Sequence, residues 1–253
     1  MREADPMDES GTGLPASIRT AWGLRGRPGK GPRPALSLER IVEAAVKIAD
    51  AEGLAAVSMQ RVAADLGAST MSLYRYVTAK DELVQLMVDT AYGPPPDAVP
   101  GEGWRPGLSR WAWAELAGLR RHPWVLRVPI SGPPVTPNEI AWLEQGLRCL
   151  RGTSLSEAQK PSVILLLSSY VRSYATLTAD IDATFLASSV SPQEAMSAYG
   201  RLLAGLTDPE RFPALHAVID AGVFDAPDQP DDEFVFGLER ILDGIAALTN
   251  PPA

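Results

Sequence analysis

The pattern of apolar and polar positions predicts a chain built from helices. From Leu38 onward, apolar residues recur at spacings of three and four, which is the period of an amphipathic helix. In the first such stretch they are Leu38, Ile41, Val42, Ala45, Ile48 and Ala49. Similar stripes continue to the end of the chain, and no segment shows the strict two-residue alternation of a half-buried strand. We therefore predict an all-α fold.

Capping residues and helix breakers divide the first half into short helices. Ser58 and Gly67 are expected to begin and end a second helix of about two turns, and a third follows over residues 71–77. A longer helix over 78–92 begins with a capping box at Thr78 and stops at a glycine followed by three prolines.

The second half shows the same signals at longer spacing. A tryptophan-rich stripe predicts one helix that ends at His122, and later serine, threonine and acidic starts predict the others. We expect them over residues 136–152, 154–180, 191–206, 213–221 and 231–248.

Residues 1–34 are rich in Gly, Pro, Arg and Ser and lack an apolar period, so we predict a disordered basic arm. Its acid-free stretch carries Arg19, Arg25, Arg27, Lys30 and Arg33. The arm is either a solvated tail or a segment that reaches phosphates or a minor groove. In both cases we expect its removal to leave the melting temperature nearly unchanged.

The net charge of −8 is divided unevenly along the chain. Residues 17–80 hold ten Lys and Arg against five Asp and Glu, whereas residues 81–253 hold twelve against twenty-two. This asymmetry suits a nucleic-acid-binding end joined to a domain that does not touch DNA. The single cysteine, Cys149, cannot form an internal disulfide, and the chain shows neither a secretory signal nor a membrane span, so we expect a cytoplasmic protein.

The short helices form a helix-turn-helix whose turn spans residues 66–69. Gly67 permits a positive φ there, and small Ala63 lets the next helix cross closely. The start of that next helix enters the major groove in such motifs. The residues expected to face outward there are Thr70, Met71 and Ser72. Four further side chains are placed to contact the DNA backbone: Tyr74, Arg75, Tyr76 and Lys80.

Residues 36–91 resemble the DNA-binding domain of the tetracycline-repressor (TetR) family. The resemblance rests on Gly53-Leu54, Val62-Ala63, Leu66-Gly67, Leu73–Val77 and Lys80–Leu83 in their spacing. It implies that Ser58 and Gln60 touch phosphate or a base, that Thr70, Met71 and Ser72 face base edges, and that Tyr74, Tyr76 and Lys80 grip the backbone. The chain departs from the family's founding member at Tyr76, where that protein has a histidine.

The resemblance extends more loosely to the second half. It implies a DNA-binding domain over 35–92, a ligand-binding and dimerisation domain over 102–250, and a homodimer held by a four-helix bundle. The bundle helices would be about Ser154–Asp180 and Asp231–Leu248. The apolar stripe of the last helix fits this role, although an ordinary core helix has the same period. The function implied is a ligand-responsive regulator, by family default a repressor, which binds a near-palindromic DNA operator.

Aromatic residues are concentrated in the second half, since 14 of the 17 follow Lys80. We expect a mostly apolar small-molecule effector there, and the residues proposed to line its pocket are Trp111, Trp142, Tyr170 and Tyr174. Core packing is the alternative role for each of them. We assign no ligand or metal to His122 or His216, and we expect no cofactor.

Two other classes of protein fit parts of the pattern. An all-α enzyme or cofactor-binding protein with a fortuitous helix-turn-helix is one, but the chain has none of the common hydrolase, phosphate-binding or dinucleotide motifs. A protein-interaction adaptor is the other. Binding to DNA that weakens steeply with salt would distinguish a regulator from both.

Overall fold

The regular elements are helical throughout the part of the chain that the computed structural model describes, which comprises residues 15–24, 36–186, 190–226 and 231–249. The chain divides into two compact units, residues 1–172 and 173–253. In chain order the α-helices are α1 (Ala16–Ala21), α2 (Leu38–Glu52), α3 (Met59–Asp65), α4 (Thr70–Tyr74), α5 (Lys80–Tyr92), α6 (Trp104–Arg121), α7 (Pro137–Cys149), α8 (Gln159–Leu186), α9 (Pro192–Leu206), α10 (Pro213–Asp220) and α11 (Asp232–Thr249). The all-α prediction is confirmed.

In the first unit, α2 packs against α3 and α5 around a small apolar core. The stripe predicted on α2 faces inward, because Ile41 and Ala45 are fully buried. Leu73 of α4 and Val77 behind it are also fully buried, so the short α4 is held by its inner face. Burial of this face, more than helix propensity, stabilises a helix of five residues.

Short 3-10 turns follow α2 and α6. The turn after α6 covers Pro123–Arg127 and buries Trp124 and Val125. Neither turn was predicted from the sequence, because runs of three to five residues show no readable period.

The N-terminal segment is partly ordered, contrary to the prediction of a disordered arm. Residues 16–21 form α1, and the Ile18 side chain is fully buried. The Ser17 hydroxyl donates a hydrogen bond to Glu82 on α5, and the Trp22 indole donates one to the Val135 carbonyl at 2.8 Å. One apolar residue and two polar contacts thus fix a segment whose composition suggested disorder. Of the five basic residues of the arm, Arg19 lies on α1 and the other four lie outside the described residues.

Two predicted helix starts are displaced. The N-cap of α5 is Ala79, and Glu82 replaces the predicted capping box by accepting hydrogen bonds from the Thr78 amide and hydroxyl. Helix α8 begins at Gln159 rather than near Ser154. Pro161 then falls in the first turn, where the missing amide hydrogen costs nothing.

The second unit contains the rest of α8 together with α9, α10 and α11. The α9 start is confirmed as a full capping box between Ser191 and Glu194. On α11 the predicted apolar stripe is buried within the single chain, since Phe234, Leu238, Leu242 and Ile245 are at most 2% exposed. These four residues are therefore core, as in the alternative reading of the stripe, whereas Leu248 at its end is 54% exposed.

Candidate nucleic-acid interface and effector domain

The helix-turn-helix consists of α3, a four-residue turn and α4. Ser58 caps α3 by accepting a hydrogen bond from the Arg61 amide at 3.1 Å, and Ser69 caps α4 by accepting one from the Ser72 amide at 3.2 Å. Gly67 in the turn has φ of +62°, a conformation that side chains with a Cβ rarely adopt. The predicted turn chemistry is confirmed.

The outer face of α4 is open to solvent. Met71 at its N-terminal end is 76% exposed and Tyr74 is 43% exposed, whereas Thr70 and Ser72 are partly exposed. Met71 therefore does not contribute to the core, and this end of α4 is open for contact with a partner.

Most of the remaining residues predicted to contact DNA are exposed, but one of them makes a hydrogen bond within the protein. Gln60, Arg75 and Lys80 are exposed, and Lys80 is the first residue of α5. Tyr76 is half-buried, and its hydroxyl donates a hydrogen bond to the Leu36 carbonyl at 2.9 Å. Tyr76 thereby joins the end of the motif to the start of α2, which gives it a structural role beside the predicted one.

Three sets of contacts connect the DNA-binding helices with the helices that follow them. Asp50 on α2 accepts hydrogen bonds from His122 and Trp124, each at 2.7 Å. Asp89 on α5 caps the start of α7 by accepting from the Asn138 and Glu139 amides. The third set consists of the Ser17 contact with Glu82 on α5 and the Trp22 contact with Val135, described above. None of these contacts could be predicted from the sequence, because the two partners of each lie far apart along the chain.

Two of the four proposed pocket residues lie together. The Trp111 and Trp142 rings meet edge to face at 5.6 Å, and both side chains are buried. The Trp111 indole donates to the Trp142 carbonyl and the Trp142 indole donates to the Gly93 carbonyl, at the end of α5. Their polar atoms are therefore satisfied by backbone groups, as in a structural core.

The two tyrosines lie elsewhere. Tyr170 is half-buried on α8. Tyr174 belongs to the second unit, where its ring packs at 5.2 Å from the Phe234 ring. An open cleft of about 250 Å³ on α8 is lined by Asp180, Ile181, Thr184 and Phe185, so none of the four aromatic residues lines it.

A buried carboxyl group stands beside the tryptophan pair. Glu115 lies one turn after Trp111 on α6 and is 3% exposed. Its Oε1 accepts a hydrogen bond from the Ser168 hydroxyl at 2.7 Å. Burial raises the pKa of Glu115 to about 7, and the Ser168 hydrogen bond and the Arg172 charge only partly oppose this shift. The sequence signal was present, because Glu115 occupies an inward position in the stripe that contains Trp111, Ala112 and Leu119.

Comparisons with known proteins cover both halves of the chain. Residues 41–87 match the family model described as bacterial regulatory proteins, tetR family, and residues 96–249 match that of the tetracyclin repressor-like C-terminal domain. The protein belongs to the tetR family. It is a transcriptional regulator that binds DNA through its helix-turn-helix, as predicted. Because both halves match one family, the motif is not fortuitous.

Individual relatives agree with this assignment. The chain is 40% identical to the HTH-type transcriptional repressor DrrR1 of Streptomyces coeruleorubidus over 97% of this chain and 90% of that protein. The crystal structure of Streptomyces coelicolor ActR in complex with actinorhodin superimposes with a TM-score of 0.71. The two sequences are 28% identical, and the match covers 88% of this chain and all of that one. Apo ActR gives a TM-score of 0.68 at the same identity, over 86% of this chain and 98% of that one.

No metal-binding cluster of His, Cys, Asp or Glu is present among the residues that the structure describes. Within the same residues, no helix is both long and apolar enough to cross a membrane.

Proposed function

We propose that this regulator is a repressor that binds a near-palindromic operator as a homodimer and leaves it when a small molecule binds the second half of the chain. The observation that carries the DNA-binding role is the solvent-open N-terminal end of α4, with Met71 76% exposed, in a chain of the tetR family. Repression is the role named for the 40% identical DrrR1. The site of action would be the cytoplasm, where the operator DNA lies.

On this proposal, Thr70, Met71 and Ser72 face base edges in the major groove, and Tyr74, Arg75, Tyr76 and Lys80 contact phosphates, with Ser58 and Gln60 at the start of α3 beside them. The exposure of α4 supports this division. Base-edge contacts determine which sequence is preferred, whereas phosphate contacts determine affinity for any sequence.

Dimerisation would use apolar side chains that the single chain leaves exposed in its second unit. On α8 these are Leu177 and Ile181, and on α11 they are Val235, Phe236 and Leu248, all more than 40% exposed. Exposed apolar residues on two long helices support a self-complementary surface of the kind that two-fold dimers bury.

Release would work through α5. This helix starts at the motif, caps α7 through Asp89 and ends where Trp142 holds Gly93. A ligand that prefers a different arrangement of α6 and α7 would therefore shift α5 and change the separation of the two recognition helices. It can move the equilibrium only as far as its affinities for the two arrangements differ. ActR has been crystallised with actinorhodin, which supports a small-molecule effector for this regulator.

The proposal is tested by selecting genomic DNA fragments that the purified protein retains. We expect a near-palindromic sequence to be enriched, and we expect the variant carrying Thr70→Ala and Ser72→Ala to enrich a different set. Identical enrichment by the wild type and the variant would remove α4 from base recognition.

A further inference from the structure

One carboxylate oxygen of Glu115 is buried and has no hydrogen-bond partner among the residues that the structure describes. Its Oε1 accepts the Ser168 hydrogen bond, but Oε2 receives no hydrogen bond from any residue that the structure describes. A buried polar atom left unpaired costs free energy on the order of 1–3 kcal/mol, so native proteins rarely keep one without a use.

The surroundings of this oxygen identify what could pair with it. Ser168 already satisfies one side of the carboxyl, and the titratable and charged groups that face it are Arg172 on α8 and Tyr92 at the end of α5. Arg172 is held in place, because it donates to the Val125 and Val128 carbonyls at 2.9 and 3.1 Å. Neither group donates a hydrogen bond to Oε2 in this structure, so an added ligand donor could fill that position.

The aromatic residues nearby favour a ligand with an apolar body. Trp111 lies one turn before Glu115, Trp142 packs on Trp111, and the Tyr92 ring lies 6.1 Å from the Trp142 ring. Their faces suit an aromatic or cationic group. The acidic balance of residues 81–253 also attracts cations and repels anions.

We propose that Glu115 Oε2 is the polar anchor for the effector, and that the effector is a mostly apolar amine whose protonated nitrogen pairs with this oxygen. The inference deepens the proposed function, on which it rests. Because Oε2 is enclosed in this structure, the amine reaches it only when the packing of α6 with α5 or α8 opens. Binding of the ligand therefore shifts the protein toward another arrangement, and DNA is released to the extent that this arrangement binds the operator less tightly.

Binding of an amine would also release a proton. Glu115 is largely protonated at slightly acidic pH, because burial raises its pKa to about 7. When the protonated nitrogen of the amine binds, the carboxyl ionises to form the ion pair, and its proton passes to the buffer. Affinity for the amine should therefore increase as the pH rises through this pKa.

The test uses 9-aminoacridine, a cation at neutral pH, and acridine, its uncharged parent, with the full-length protein free of DNA. Calorimetric titrations would be run at pH 6.5 in two buffers of different ionisation enthalpy, which reports proton release. We expect the wild type to prefer 9-aminoacridine, with a released proton. Glu115→Gln should lose about ten- to a hundredfold in affinity for the cation, with no proton release.

Glu144→Gln is the matched control. Glu144 is an exposed acid on α7, so this variant loses the same charge without touching the buried carboxyl, and it should bind like the wild type. Equal affinity of Glu115→Gln and the wild type for 9-aminoacridine would overturn the inference, and so would equal affinity of the wild type for both compounds. Failure of the wild type to bind either compound would also count against it.

A DNA-release assay separates this inference from the proposed function. If 9-aminoacridine binds through Glu115 but the protein keeps its DNA, Glu115 is the ligand contact and the proposed release mechanism is wrong. If another compound releases the DNA equally well from the wild type and Glu115→Gln, the release mechanism stands and the anchor fails. Because 9-aminoacridine also binds DNA directly, release counts as an effect on the protein only where the wild type loses its DNA at a concentration that leaves the Glu115→Gln complex intact.

Discussion

Asp50 on α2 accepts a hydrogen bond of 2.7 Å from the indole of Trp124, which lies in the turn after α6. The same oxygen also contacts His122 at 2.7 Å. This carboxylate thus joins α2, the first helix of the DNA-binding domain, to the Pro123–Arg127 turn after α6. Arg172 on α8 also donates hydrogen bonds to the Val125 and Val128 carbonyls. The turn is therefore held by α2 at its start and by α8 at its end.

We predict that Trp124→Phe destabilises the protein by about 1–2 kcal/mol, since the ring is kept but the donor to a partly exposed carboxylate is lost. Thermal or denaturant unfolding of Trp124→Phe, Asp50→Ala and the double variant measures the pair. If the two single effects simply add, the pair does not interact, because coupled partners give a non-additive cycle.

The N-terminal helix α1 should contribute to stability, in contrast to the expectation from composition. Ile18 is fully buried, so Ile18→Ala should lower the free energy of unfolding by about 2–5 kcal/mol. Leu24→Ala is the control, because Leu24 is 64% exposed beside the same helix. An unchanged melting temperature in Ile18→Ala would show that α1 does not contribute to the stability of the protein.

Glu115 makes stability depend on pH in a defined direction. Its pKa is raised from 4.5 to about 7 in the folded protein, so the native state binds more protons than the unfolded state between these values. Stability therefore falls as the pH rises from about 4.5 to 7, and the cost is complete above 7. The cost approaches about 3 kcal/mol for a shift of this size.

We expect Glu115→Gln to remove this dependence. The variant should gain stability relative to the wild type between pH 5 and 8, measured as the difference in unfolding free energy at each pH. A difference that stays constant across this range would show that Glu115 does not titrate there.

Lys80 should contribute to affinity without contributing to sequence preference. It is exposed at the start of α5, where a phosphate contact is proposed, so Lys80→Ala should weaken binding to specific and random duplexes by the same factor. The slope of log K against log salt should also become shallower by about one. An unchanged slope would show that Lys80 is not a phosphate contact.

The features that could be predicted from the sequence are those that depend on residues close together along the chain. Helix periods and serine starts such as Ser58 are local, so most helices and the helix-turn-helix turn were predicted correctly, whereas α1 was missed and the starts of α5 and α8 were misplaced. The contacts of Ile18, Asp50 and Asp89 join residues far apart in sequence, and neither period nor spacing reports them. The stripe of α11 was read correctly as apolar, but a core face and a dimer face have the same period.

The candidate sites differ in the same way. The outward face of α4 follows from a short motif with fixed spacing, so its residues could be named from the sequence. The effector residues could not, because aromatic content does not distinguish a packed core from a pocket. The buried carboxyl of Glu115 had a visible signal in the sequence, because it falls in an apolar stripe.

Dimerisation should depend on exposed apolar residues of α11. Phe236 is 62% exposed, so Phe236→Asp should place a charge in the proposed interface and shift the protein to monomers at micromolar concentration, measured by light scattering. Ile130→Asp, which changes another exposed apolar residue in the first unit, is the control. A variant that remains dimeric would place the interface elsewhere.

The most direct test is a titration of the genomic fragment that the protein selects, with stoichiometry and salt dependence measured together by fluorescence anisotropy. We expect two chains per near-palindromic site, and an affinity that falls linearly on a log–log plot as salt is raised, because phosphate contacts release counterions. One chain per site, or an affinity that does not change with salt, would contradict the proposal of a dimeric operator-binding repressor.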